Sequence, residues 1–306
     1  MGYGVLGDRD VNNVSLCNRT RRTEDLPAKF RSAHRWDLLL LHGLMRRSFL
    51  AREGIENSGS FRFADHLYRN IPRGEGLSGW LIDRILLSLP AARTMRRRYL
   101  RSKTEMLSAF RNPLERCLAC EAEGVATPEA HDRPGSAAFR VLTIPCGIPR
   151  DAADFIETAV ATSPGRSVEY YGMDLDPVVL KAAAEHLTSR KIDHFRLVCG
   201  DALVAEDYPQ GQFDFVASTG LGEFLTDTQL QTLYLNLHQV LRPGGIFYTS
   251  ALDREPISEW LMRPFELHAH YRSETNLRRI LADQPWQEVT LEPDQSHRQT
   301  YIVARK

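Results

Sequence analysis

A chain of 306 residues with 42% hydrophobic and 25% charged residues has the composition of a globular protein, with room for one large domain or a domain plus a sizeable extension. Lys plus Arg and Asp plus Glu both number 39, so overall charge gives no pull toward nucleic acid or an anionic surface. Five cysteines at irregular spacing exclude a disulfide framework in a chain this long, and the longest apolar run, Leu38 to Leu41, is far short of a membrane span.

The charge is unevenly spread. Residues 1–135 hold 23 basic and 16 acidic side chains, and the remainder holds 16 and 23. The plainest reading is that the two halves complement one another. Residues 1–28 read as a polar arm without the pattern of a signal peptide, so a cytoplasmic location is expected. Gly2-Tyr-Gly4-Val-Leu-Gly7 fits a dinucleotide-loop spacing, but no strand precedes it and the match is coincidence.

From residue 29 to 123 the pattern is helical. Phe30, Ala33, Trp36, Leu40, Leu44 and Phe49 recur at three to five residues. A short helix is expected at 61–70, another from Leu77 to Leu89, and a third opened by Pro90 and running toward Arg111. Arg96-Arg97-Arg98 reads as a solvated helix face. Cys117 and Cys120 form a CxxC, with His131 as the only nearby third ligand, which is too few for zinc. Residues 124–137 have the composition of a linker.

The rhythm then changes to alternating strands and helices over 138–306. Strands are expected at Arg140–Ile144, Val168–Met173, Phe195–Cys199, Phe213–Ser218 and Ile246–Ser250, with helices between them. Thr226 to Gln229 is a capping-box sequence, and Ser273 can cap a later helix. Two closing strands near 286–292 and 299–304 have no helix between them, which suggests an antiparallel edge. Alternation of this kind predicts a parallel sheet covered by helices on both faces.

In such a sheet, ligands sit beyond the carboxyl ends of the strands, so the residues just after each strand carry the information. After the first comes Pro145-Cys146-Gly147-Ile-Pro149-Arg150. Asp174 and Leu175 follow the second, Asp201 and Ala202 the third, and Thr219 to Glu223 the fourth. Each acid alone is as easily a helix cap as a ligand group, but the ordered set is harder to dismiss.

At these residues the sequence resembles the class I S-adenosylmethionine-dependent methyltransferases. The resemblance covers about Phe139 to Lys306. It rests on RVLTIPCGIPRD, YYGMDLDPVVLKAAAEHL, FRLVCGDAL, GQFDFVASTGLGEFL and LHQVLRPGGIFYTS. It implies a seven-stranded Rossmann-like α/β sheet, mostly parallel with the last strand antiparallel, behind a helical N-terminal extension that caps the acceptor pocket. It implies S-adenosyl-L-methionine as cofactor, with Asp174 on the ribose, Asp201 near the adenine, and Leu175 and Ala202 beside the ring. Pro145, Cys146, Gly147, Arg150 and Thr219 complete the expected cofactor set.

The first loop departs from the family pattern. Thr143 stands for the usual acid, and Pro145 and Pro149 for two of three glycines, while the central Gly147 remains. Proline fixes φ and removes an N–H, so the loop has fewer backbone donors. Arg150 is placed to grip the cofactor carboxylate in their stead. Cys146 reads as a small packing residue.

The family has no fixed catalytic residue. His268 and His270, in the aromatic-rich segment from Ala251 to Tyr271, are the base candidates, with Glu223 a third. The favoured reading is methyl transfer to a small-molecule acceptor, with no metal, membrane or nucleic acid among the expected partners. The alternatives are a nucleic-acid or protein methyltransferase guided by the basic front half, a non-catalytic interaction protein on the same fold, and aminopropyl transfer, which lacks the paired acids it would need.

Overall fold

The computed structural model describes residues 26–56, 61–112, 138–254 and 269–306. The GxGxxG segment, the CxxC, the linker, His268 and most of the aromatic segment after the fifth strand lie outside the described residues.

The chain divides into two compact units, one of residues 98–253 and 270–306, the other centred on the helices up to Arg97. The helical unit contains α1 (Leu26–Ser32), α2 (Trp36–Met45), α3 (Phe49–Glu56), α4 (Phe61–Arg69), α5 (Gly76–Ser88) and the first two turns of α6 (Pro90–Arg111). Leu50, Leu67, Leu87 and Ala92 form its core. Asp83 on α5 is fully buried and ties the unit together. Its carboxylate accepts from the Ser48 hydroxyl, from Leu50 N at 3.1 Å and from Arg73 N at 2.7 Å. Gly79 lets α5 press onto its neighbours, since a Cβ there would lie 2.3 Å from the Arg47 carbonyl oxygen.

The apolar periodicity of α2 pointed to the wrong face. Trp36, Leu40 and Leu44 are exposed, whereas Leu38, His42 and Met45 are buried. The helix is apolar nearly all round, so spacing alone could not choose its buried side.

The second unit is a seven-stranded sheet, β1 (Phe139–Thr143), β2 (Val168–Asp174), β3 (Phe195–Cys199), β4 (Phe213–Ser218), β5 (Leu241–Leu252), β6 (Glu288–Pro293) and β7 (Gln299–Arg305), in the order β3-β2-β1-β4-β5-β7-β6. The first five are parallel, and β7 is inserted antiparallel between β5 and β6. This is the expected class. Between the strands lie α7 (Arg150–Thr162), α8 (Pro177–Ser189), α9 (Asp227–Val240) and α10 (Glu274–Ala282). Both caps read from sequence form: Thr226 and Gln229 exchange their bonds at the start of α9, and Ser273 accepts from Asn276 N at the start of α10.

Each face of the sheet has its own core. Phe139, Val141, Tyr170, Phe215 and Tyr248 point to one, where Phe155 of α7 and Met106, Ala109 and Phe110 of α6 meet them. Leu142, Tyr171, Val216 and Phe247 point to the other, against Leu233, Tyr234 and Leu237 of α9 and Leu277 and Ile280 of α10. Thus about the last four turns of α6, from Arg98, belong to the sheet unit. Phe110, Phe139 and Phe155 pack as an aromatic triplet with centroids 5.4 to 5.9 Å apart.

β5 begins at Leu241, five residues earlier than expected. Pro243-Gly244-Gly245 read as a turn, yet Gly244 at φ +70° and Gly245, where a Cβ would meet the Arg242 carbonyl oxygen at 2.8 Å, carry the strand through a bulge.

Candidate functional site

The strand order reverses between β1 and β4, which opens a crevice beyond their carboxyl ends. Six of the nine expected cofactor residues follow the first two strands. The chain leaves β1 through Ile144 and a cis bond to Pro145, and Cys146 then donates its N–H to the Met173 carbonyl at 2.9 Å. Cys146 is buried, and burial first, then the Asp174 carboxylate, pushes its thiol well up, which fits packing rather than nucleophilic chemistry.

Gly147 has φ +51°, a conformation that glycine adopts at little cost, and no heavy atom lies within 4 Å of where a Cβ would be. The loop is therefore turned toward open space. Its N–H donates to Asp174 Oδ2 at 3.1 Å, and Asp176 N donates to Asp174 Oδ1 at 3.2 Å. Each oxygen of this carboxylate keeps a further acceptor site. Burial pushes Asp174 above its ordinary value, opposed by the N–H groups of Gly147 and Asp176.

Leu175 and Val178 beside it, and Val204 after β3, are apolar side chains left exposed at this edge. Asp201 Oδ1 accepts from Leu203 N at 2.9 Å, and its own N–H donates to Asp207 Oδ2 at 2.9 Å. Ala202 is buried, and its carbonyl accepts from the Tyr208 hydroxyl at 2.7 Å. Thr143, in the place of the family acid, is also buried and shares a 2.5 Å bond with the Tyr170 hydroxyl. Arg150 is half-buried at the start of α7, and its charge acts on Tyr99, which donates to Asp154.

On the β4 side, half-buried Thr219 precedes Gly220, whose φ is +88°. Glu223 follows in a short 3-10 turn and is only 4% exposed. Its Oε1 accepts from Arg98 Nη1 at 3.1 Å, and Oε2 has no hydrogen-bond partner among the described residues. His270 donates its backbone N–H to the Glu223 carbonyl at 2.7 Å, and its side chain is exposed. Arg272, itself buried, donates to Gly222 O at 2.7 Å, to Leu225 O and to Asp227 Oδ1 at 3.0 Å. It fixes the loop that carries Glu223.

Sequence reasoning missed Arg98 and Arg272. Arg98 does not lie on a solvated face: it is buried, one turn before the buried Ser102 and two before Met106. That i, i+4, i+8 alignment with small and apolar residues was the available signal. Ser102 in turn donates to Asp151 Oδ2 at 2.6 Å, so α6 reaches both loops of the crevice. Among the described residues, no cluster of His, Cys, Asp and Glu could hold a metal, and no helix is long and apolar enough to cross a membrane.

Residues 141–245 match a family model described as a methyltransferase domain. An uncharacterized methyltransferase from Synechocystis sp. is 41% identical over 63 residues, 20% of this chain and 29% of that protein. A demethylmenaquinone methyltransferase from Geobacillus kaustophilus is 29% identical over 107 residues, 35% of this chain and 42% of its own. The matched stretch thus spans less than half the length of these curated relatives. Among solved structures, a possible exported protein from Bordetella parapertussis superposes with a TM-score of 0.72 at 18% identity, over 96% of this chain and 99% of that one, a likeness of fold. The match to a methyltransferase domain thus falls on residues 141–245, within the seven-stranded sheet.

Proposed function

We propose that the protein transfers a methyl group from S-adenosylmethionine to a small-molecule acceptor. The observation that carries this reading is Asp174. It stands at the end of β2, is tied to the turn at Gly147, and keeps acceptor capacity toward an open edge. Such a carboxylate suits a pair of ribose hydroxyls. Leu175 and Val178 offer apolar surface for a purine, and Asp201 a second acceptor for its amino group. When bound, the cofactor supplies a methyl group already activated by the positive charge on sulfur.

The remaining work is to orient the acceptor and exclude water. Thr219 to Glu223 would form one wall of the acceptor site, held in place by Arg272 and by the His270 backbone. His270, exposed at the edge, and the buried Glu223 are the described candidates to take a proton from an acceptor hydroxyl or amine. Two relatives, from Geobacillus kaustophilus and Anoxybacillus flavithermus, are named for demethylmenaquinone, a small molecule, and this favours such an acceptor over a polymer.

The test is to incubate the full chain with methyl-labelled S-adenosylmethionine and separate small-molecule, protein and nucleic-acid fractions of a cell extract. Label in the small-molecule fraction supports the proposal. Label confined to protein or nucleic acid moves it to the polymer-modifying class.

A further inference from the structure

We propose that Arg98 anchors the carboxylate at the methionine end of the cofactor, and that Glu223 is the anion that occupies Arg98 until the cofactor arrives. This rests on the S-adenosylmethionine reading above and adds to it an anchor residue and an exchange of partners.

The first observation is what the β1 loop has lost. Pro145 and Pro149 have no N–H, so a cofactor carboxylate near this loop needs donors from elsewhere. The second is where Arg98 lies. It sits 5% exposed by side chain on α6, against the loop after β4, with Nη1 3.1 Å from Glu223 Oε1. A Cβ on Gly220 would lie 3.2 Å from its Nη2, so the glycine leaves room for the guanidinium to face the crevice loop. The third is Asp151, in the first turn of α7. Its carboxylate accepts from the hydroxyl of Ser102, one turn along α6 from Arg98, at 2.6 Å and from Ala152 N at 3.0 Å.

These groups make one buried guanidinium with two carboxylates. An amino-acid end carries both signs. Its ammonium matches Asp151, and its carboxylate matches Arg98, whose fork favours paired bonds. With the carboxylate in place, Glu223 becomes a surplus like charge at the same guanidinium. Glu223 is also the more weakly tied of the two acids. One of its oxygens makes the contact with Arg98, and the other has no partner among the described residues. Glu223 therefore yields, and cofactor binding converts it from an ion-pair partner of Arg98 into an anion free to face the acceptor wall.

The exchange predicts opposite effects from its two ends. Calorimetry on the full chain would compare S-adenosylhomocysteine, which has the amino-acid end, with 5′-methylthioadenosine, which lacks it. Glu223→Gln keeps the shape but removes the competing charge, and is expected to tighten S-adenosylhomocysteine several-fold. Arg98→Lys keeps the charge and so the pairing with Glu223, but loses the planar fork, and is expected to weaken S-adenosylhomocysteine about tenfold. Neither substitution should change 5′-methylthioadenosine binding by more than about twofold. Arg150→Ala should affect both ligands alike. Unchanged or weaker S-adenosylhomocysteine binding in Glu223→Gln overturns the exchange. Equal losses of both ligands in Arg98→Lys, or a loss selective for S-adenosylhomocysteine in Arg150→Ala alone, overturn the anchor assignment. A parent protein that binds neither ligand overturns the cofactor reading itself, a result distinct from all of these.

Discussion

The N–H of Gly147 donates to Asp174 Oδ2 at 3.1 Å, which joins the turn after β1 to the acid at the end of β2. Two loops from neighbouring strands thereby set one another's position, and neither needs the missing glycines to do so. The proline-substituted turn is held by this bond and by the Cys146 N–H on the Met173 carbonyl. The central glycine is kept where a positive φ and an open approach are both required.

Replacement of Asp174 by Ala is expected to weaken S-adenosylhomocysteine by about 1.5–3 kcal/mol, the scale of hydrogen bonds to a charged group. Binding calorimetry with circular dichroism as a folding control checks it. Equal affinity in mutant and parent contradicts the ribose assignment.

The same residue sets a pH dependence. Burial raises the Asp174 pKa above its ordinary value. The ionised carboxylate is the form that accepts both ribose hydroxyls. Affinity should therefore be full above the raised pKa and fall as pH drops through it, at a midpoint above that of an exposed aspartate. Titrations from neutral to acid pH test this, and Asp174→Asn should flatten the profile.

The helical unit has its own keystone. Asp83→Asn keeps one acceptor oxygen for the Ser48 hydroxyl and Leu50 N, but turns an amide NH2 toward the Arg73 N–H, two donors facing one another in a buried site. A loss of about 2–3 kcal/mol is expected in denaturant unfolding. A change below about 0.5 kcal/mol, the range of ordinary surface substitutions, would mean the cluster is dispensable.

Gly79→Ala puts a Cβ 2.3 Å from a backbone oxygen that cannot swing away. Destabilisation of about 1–3 kcal/mol is expected from overpacking, although alanine is the better helix former. A stabilised variant would show that α5 can shift.

Much of the sheet unit was legible because its strands are short apolar runs closed by acids and glycines. β3 and β4 match their expected bounds, and Thr226 and Ser273 cap as read. What was not legible depended on partners distant in sequence. Arg98 sits in a run of three arginines, a pattern that resembles a solvated face until Glu223, 125 residues away, is brought beside it. Arg272 gave no local cue, since its acceptors are the carbonyls of Gly222 and Leu225. The exposed Leu40 and the buried His42 of α2 invert the usual preference, because the choice of buried face is made by packing. Ala202, expected beside the adenine, packs in the core with its carbonyl held by Tyr208, an arrangement for which its sequence holds no cue.

The central claim is that the crevice beyond β1, β2 and β4 holds S-adenosylmethionine, and titration of the intact chain with S-adenosylhomocysteine by calorimetry tests it most directly. Saturable binding near one ligand per chain, with a dissociation constant on the order of micromolar to tens of micromolar and abolished or strongly weakened by Asp174→Ala, is the predicted result. No saturable heat at ligand concentrations of about a millimolar, with the protein folded, would contradict it.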